Sequence, residues 1–165
     1  MKAIVAVDKN WGIGRDNNLL FSIPQDMKFF RQTTLNKVVV MGANTLKSFP
    51  NSNPLKNRIN IVLSTKIKRE DCVCVNSLDK LLTKLLDYES DDIFIIGGAK
   101  IYSQLLDYCD EIFVTKVDAD GKADVFFPNL DEINTWQLVE KSERKEDNGY
   151  FFEFLKYKNN KVEKV

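Results

Sequence analysis

Asp26 is the one carboxylate in the stretch LLFSIPQDMKFF (19–30), where its neighbours include Phe21, Ile23, Met27, Phe29 and Phe30. On a helix starting at Pro24, Asp26, Met27 and Phe30 share a face, so the acid would look out beside a thioether and an aromatic ring. If that face is buried, both carboxylate oxygens need donors, and a cationic or amidine-like ligand supplies two at once. Desolvation would also raise the acid's pKa toward neutrality, where it can take part in proton transfer. The chain contains no histidine. Proton chemistry near neutral pH therefore falls to a perturbed carboxylate, a tyrosine, a lysine, a cysteine or water, and the commonest zinc and triad arrangements are removed. A plainer reading also exists: Pro24 suits a first helical turn, Ser22 can cap it, and Asp26 would then complement the helix dipole with no ligand at all.

Two strand ends carry a second kind of chemistry. VVVMGANT runs from strand through Gly42 to a helix start with Asn44 and Thr45, and IFIIGGAKIY runs through Gly97-Gly98 to a helix start with Lys100. Glycine lets the backbone approach a ligand closely, and a helix start offers unpaired N–H groups to a phosphate. Ser64-Thr65-Lys66 adds hydroxyls and a cation just past another strand. Each glycine alone could simply make a tight turn. Three such ends together favour a nucleotide with several phosphates, although none matches GxGxxG, and GIGRDN (12–17) leads into a loop rather than a helix.

The elements that must hold these groups alternate. AIVAV (3–7), KVVVMG (37–42), NIVLS (60–64), CVCV (72–75) and IFIIGG (93–98) read as strands, several apolar on both faces, which implies a mainly parallel sheet covered by helices. Helices are expected over 24–34, 43–49, 77–87 and 98–106. In the third, Leu78, Leu81, Leu82, Leu85 and Leu86 form an amphipathic stripe behind a Ser77 N-cap. Past residue 108, EIFVTKV (111–117), WQLVEKSE (136–143) and YFFEFLKY (150–157) follow one another as strands, the last two joined by a turn at Asp147-Asn148-Gly149. The expected fold is α/β: one sandwich domain over 1–165, with a mixed sheet that is antiparallel at one edge. The longest irregular piece, DKNWGIGRDNNLLFS, lies between the first strand and the first helix and reads as a functional loop.

Composition sets outer bounds. The 165 residues are 44% hydrophobic and 29% charged, with 24 basic and 24 acidic side chains. Zero net charge provides no overall field for nucleic acid or membrane. No apolar run approaches the length that spans a bilayer, and MKAIVAVDKN is too short and too early charged for a signal peptide. Cys72, Cys74 and Cys109 form no even set, so reduced thiols in a cytoplasmic protein are expected.

Six segments in order, IVAVDKNWGIGRDNNL, SIPQDMKFFRQTT, VVVMGANTLKSFP, LKNRINIVLS, IFIIGGAKIYSQLL and FVTKVDADGKADVFFP, closely resemble the bacterial-type dihydrofolate reductase family, collinearly from about residue 3 to the C-terminal strand. The resemblance implies a central eight-stranded, mostly parallel mixed sheet with an antiparallel C-terminal strand and helices on both faces. It implies NADPH-dependent hydride transfer to C6 of dihydrofolate with protonation of N5, by a monomer supplying tetrahydrofolate for one-carbon metabolism and open to antifolate inhibitors. Asp26 is similar in position to the acid that pairs with the pterin ring nitrogen and 2-amino group, with Thr115 as its supporting hydroxyl and water delivering the proton. Ile4, Val5, Ala6, Met27, Phe30, Phe49, Leu55 and Ile96 resemble the substrate walls, with Tyr102 beside them, and Arg58 resembles the clamp on the substrate's glutamate carboxylate.

For the cofactor, the resemblance implies contacts from Ile96, Gly97, Gly98, Ala99, Lys100, Ile101 and Tyr102, with a cis bond between the two glycines. Gly42, Asn44 and Thr45 resemble the second pyrophosphate cradle, and Leu63, Ser64, Thr65 and Lys66 approach the adenosine ribose phosphate. Ala6, Ile13, Gly14, Asn18 and Leu19 resemble the nicotinamide wall and its mobile lid. Three positions depart from the family pattern. Leu20-Phe21 replaces Pro-Trp in the lid, Ala43 replaces an arginine near the 2′-phosphate, and Ala99 replaces a third glycine. Riboflavin-pathway reductases share this architecture, but the set Asp26, Arg58 and Thr115 argues against them. From other classes, a flavodoxin-like carrier would be yellow, and a nucleotide sensor would not turn over.

Overall fold

A computed structural model describes residues 1–165. Six strands run parallel: β1 (Lys2–Val7), β3 (Val38–Gly42), β4 (Ile59–Leu63), β5 (Val73–Val75), β6 (Ile93–Gly97) and β7 (Glu111–Val117). The long β11 (Tyr150–Asn159) lies antiparallel to β7. Its outer side is paired by two segments, β9 (Trp136–Lys141) against 155–159 and β10 (Lys145–Asp147) against 150–152. These are one edge strand broken near Ser142, so the sheet has eight strand positions in the order β10-β11-β7-β1-β6-β3-β4-β5, with β9 in line with β10 along β11. The expected mixed sheet is what the chain forms.

Alternation along the strands explains why both faces are covered. Val38, Val40, Ile61 and Ile95 pack with Leu81 and Leu85 of α3 (Leu78–Leu85) and with Ile101 and Leu105 of α4 (Ala99–Leu105). Val39, Met41 and Val62 face the other way, against Leu46 of α2 (Ala43–Ser48). Phe29 of α1 (Pro24–Thr34) meets Phe113 of β7, with ring centroids 6.3 Å apart. Burying β3 residues 38–41 at 0–3% exposure is what a strand apolar on both sides requires.

Several local expectations change. Ser22 does not cap α1: the N-cap is Ile23 and no side chain bonds there from within the element. Instead the turn between β10 and β11 reaches across, where Asp147 Oδ2 accepts from Gln25 N at 2.8 Å and Asn148 Nδ2 donates to the Ser22 carbonyl at 2.7 Å. A remote carboxylate does the work of a cap. Ser77 does cap α3, accepting from Lys80 N at 3.2 Å, but the helix ends at Leu85, and Leu86 is left outside it and 66% exposed. The long loop after β1 is not wholly irregular. It contains β2 (Gly12–Gly14), which pairs antiparallel with the short β8 (Val125–Phe126).

Candidate active site

The acid sits where α1 crosses β7. Thr115, 2% exposed and beside Ala6 in the β1–β7 register, donates to Asp26 Oδ1 at 2.6 Å. Burial pushes the Asp26 carboxyl up from the usual aspartate range, and the Thr115 hydroxyl bond opposes that by favouring the charged form. Removing the hydroxyl with Thr115→Val is expected to raise the Asp26 pKa further, shifting any pH–rate limb governed by this acid to higher pH. A limb that stays put or moves down would contradict that coupling.

Around the acid, Phe30 is half-buried whereas Met27 is 50% exposed. Phe49, Leu55 and Ile96 pack together on the cluster centred on Met41 and Leu46. Leu55 is fixed at both backbone groups by one buried side chain outside the expected site residues. Asn60 Oδ1 accepts from Leu55 N at 3.0 Å and Asn60 Nδ2 donates to Leu55 O at 2.9 Å. Its only sequence signal is a polar residue inside an otherwise apolar strand.

Arg58 is held by three acceptors: Nε donates to Thr34 Oγ1 at 3.1 Å, and the terminal nitrogens donate to Lys56 O at 2.7 Å and Arg31 O at 3.0 Å. These use three of five N–H donors and leave two for a ligand. Burial and then the nearby Arg31 cation lower the Arg58 pKa, and no carboxylate pairs with either guanidinium. Arg31 was not among the expected site residues.

The glycine junctions lie side by side. In the register Met41 faces Gly97 and Gly42 faces Leu63, which brings the ends of β3, β4 and β6 together. The Gly97–Gly98 peptide is cis, and Gly97 has φ +114°. A Cβ there would lie 3.1 Å from the Tyr102 ring, which is itself fixed by donation to Ile4 O at 2.7 Å. A Cβ on Gly42 would lie 3.1 Å from Ile101, and one on Gly98 would lie 3.9 Å from Thr45 Oγ1. Gly42 and Gly98 cap α2 and α4 without any side-chain bond. Ser64 Oγ accepts from Lys66 N and Ile67 N at 3.1 and 3.2 Å, shaping the third junction as a turn. Farther along α4, Gln104 Oε1 is the one buried side-chain oxygen or nitrogen without a partner, and only the structure reveals it.

The segment expected to form the lid contains a two-residue hairpin. Arg15 and Asn18 exchange backbone bonds of 3.1 and 2.9 Å around Asp16 and Asn17, both at positive φ, and Leu19 is 81% exposed beyond it. Asp124 pins the hairpin from outside: its N–H donates to Gly14 O at 2.9 Å, and its Oδ2 accepts from Asp16 N at 3.0 Å. Phe21 makes an edge contact with Tyr150, at 4.8 Å between centroids. A cleft of ≈ 110 Å³ runs between Arg15, Leu19, Leu20 and Gly121. A larger one, ≈ 350 Å³, is lined by Lys9, Lys116, Arg144 and Tyr157 and contains none of the expected site residues.

The chain is similar to proteins already described. A family model described as dihydrofolate reductase matches residues 1–159. The dihydrofolate reductase of Bacillus subtilis is 36% identical over 166 residues, covering 98% of this chain and 96% of the relative. That of Haemophilus influenzae is 34% identical over 155 residues, covering 92% and 94%. Among solved structures, the Enterococcus faecalis dihydrofolate reductase complexed with NADP(H) and RAB-propyl matches with a TM-score of 0.84 at 28% identity, covering 96% of this chain and 95% of that one.

Proposed function

The chain belongs to the dihydrofolate reductase family, and from that membership we propose how its own residues serve the NADPH-dependent reduction of 7,8-dihydrofolate to 5,6,7,8-tetrahydrofolate. Bound NADPH supplies the hydride that C6 of the substrate accepts. Asp26 receives the ring nitrogen and 2-amino donors of the pterin, its second oxygen being free of Thr115. Gripping that edge orients C6 and sets the protonation state on which delivery of a proton to N5 depends, by way of water. The observation that carries this reading is the 2.6 Å Thr115–Asp26 bond at the crossing of α1 and β7, beside Ala6 of β1. An assay in which nicotinamide absorbance falls only when dihydrofolate is present tests it, and oxidation of NADPH without dihydrofolate would count against it.

Ile4, Val5, Ala6, Met27, Phe30, Phe49, Leu55, Ile96 and Tyr102 form the walls in this reading. Arg58 takes the substrate's glutamate carboxylate with its two remaining donors. Losing a charge-assisted pair of about 1.5–3 kcal/mol, Arg58→Leu is expected to raise the KM for dihydrofolate about 10- to 100-fold. The KM for NADPH should hardly move, and equal effects on both would reject the clamp.

The residues at the strand ends fit a dinucleotide. Gly97 has no room for a side chain, and Lys66 and Lys100 bring cations. Gly42, Asn44, Thr45, Gly98, Ala99 and Ile101 would cradle the pyrophosphate, with Leu63, Ser64 and Thr65 toward the ribose phosphate. Ala43 contributes no cation there, which leaves Lys66 to favour the 2′-phosphate. Ile13, Gly14, Asn18 and Leu19 close over the nicotinamide and exclude water. No helix is long and apolar enough to cross a membrane. In this reading one domain works as a cytoplasmic monomer that antifolates would block.

A further inference from the structure

Asp8 is 1% exposed, at the end of β1, and has no cationic partner in any ion pair of the molecule. Its charge is met by backbone N–H groups alone. Oδ1 accepts from Asn10 N at 2.8 Å and Gly12 N at 2.7 Å, at the base of the lid. Oδ2 accepts from Gly121 N at 3.0 Å, 113 residues away in the segment between β7 and β8. Such bonds to an ionised acceptor are among the stronger ones a protein makes, and leaving a buried oxygen unmet is costly.

The packing around the carboxylate shows that the two segments are fitted to each other. A Cβ on Gly12 would run into the Ala123 side chain and come within 3.0 Å of both Asp8 oxygens. A Cβ on Gly121 would lie 2.9 Å from Leu20 Cδ1, so that segment also supports the far end of the lid. Lys9 N donates to Ala119 O at 3.1 Å alongside.

We propose that Asp8 is a positioning residue for the hydride step: its two oxygens clamp the lid base and the 119–124 segment into one unit that seats the lid over the nicotinamide. The inference rests on the reading of residues 13–19 as that lid. One carboxylate is needed because it accepts on both sides. An amide accepts on one side only and turns an N–H₂ group toward the other.

Asp8→Asn separates the two functions of the clamp. The asparagine oxygen keeps the two lid-base bonds, and its amide nitrogen faces the Gly121 N–H. Hydrogen exchange at Gly121 and over 13–18 should accelerate about tenfold or more, reporting local release. Single-turnover hydride transfer should slow about tenfold, because the seated lid is then a smaller fraction of a fast open–closed equilibrium, and kcat should show a primary isotope effect with deuterated NADPH as the hydride step becomes limiting. KM for dihydrofolate should stay within about twofold, which separates loss of positioning from general unfolding. Unchanged exchange at Gly121 would overturn the clamp. Faster exchange with unchanged hydride transfer would instead overturn the lid reading, and with it the catalytic role inferred for Asp8. Gly121→Ala, which pushes on Leu20 without altering the carboxylate, reads the same junction should Asp8→Asn fail to fold, with the same expected and contrary results.

Discussion

Replacing Asp26 by asparagine is expected to lower turnover at neutral pH by about 10²- to 10³-fold while NADPH binding stays as it was. The amide can accept one bond from the pterin edge but presents an N–H₂ group where the second donor arrives, and it cannot titrate. Recovery on acidification is expected to be partial, as solution protons replace those the acid governs. The same substitution carries an opposite effect on stability. Burial raises the Asp26 pKa in the folded protein, so its contribution to stability is complete below the ordinary aspartate pKa and is lost as pH rises through the raised value. At neutral pH the wild type therefore bears the cost of a buried charge, which the asparagine variant escapes. Thermal melts should show the variant more stable than wild type at pH 7, with that advantage shrinking toward acid pH. A variant with normal turnover would remove Asp26 from the mechanism. One that is less stable at neutral pH would contradict the role of burial in the shift.

The second large effect is expected at Gly97. With φ at +114°, an alanine is strained by about 1–3 kcal/mol, and its methyl would stand 3.1 Å from the Tyr102 ring. Tyr102 cannot give way freely, since its hydroxyl is committed to Ile4 O and its ring is buried. Strain there must move either the β6 end or Ile4 of β1. Gly97→Ala should weaken NADPH about tenfold for each 1.4 kcal/mol so lost, and should lower the melting temperature as well. Unaltered NADPH affinity, measured by fluorescence titration, would show that this junction does not cradle the cofactor.

How far these groups could be read in advance depends on how local their chemistry is. Asp26 stood out because an acid among aromatics conflicts with its neighbours within one helical turn. Gly42 and Gly97-Gly98 did so because strand, glycine and helix start are contiguous. The sheet followed from runs apolar on both faces. What escaped was long-range. No feature near Ser22 says that Asp147 will accept from α1 in its place, 122 residues away from Gln25. Asp8 carries no local signal, because its second oxygen is satisfied only by Gly121. Asn60 reads as a flaw in a strand until Leu55 folds back on it. The break of the edge strand into β9 and β10 likewise depends on β11, against which both segments pair.

The most direct measurement is a crystal structure of this protein with folate and oxidised cofactor bound. It should show Thr115 still donating to Asp26 Oδ1, with the carboxylate oxygens within hydrogen-bond reach of the pterin ring nitrogen and its 2-amino group. A pterin bound away from α1, or an Asp26 side chain turned out to solvent beside it, would contradict the account at its root.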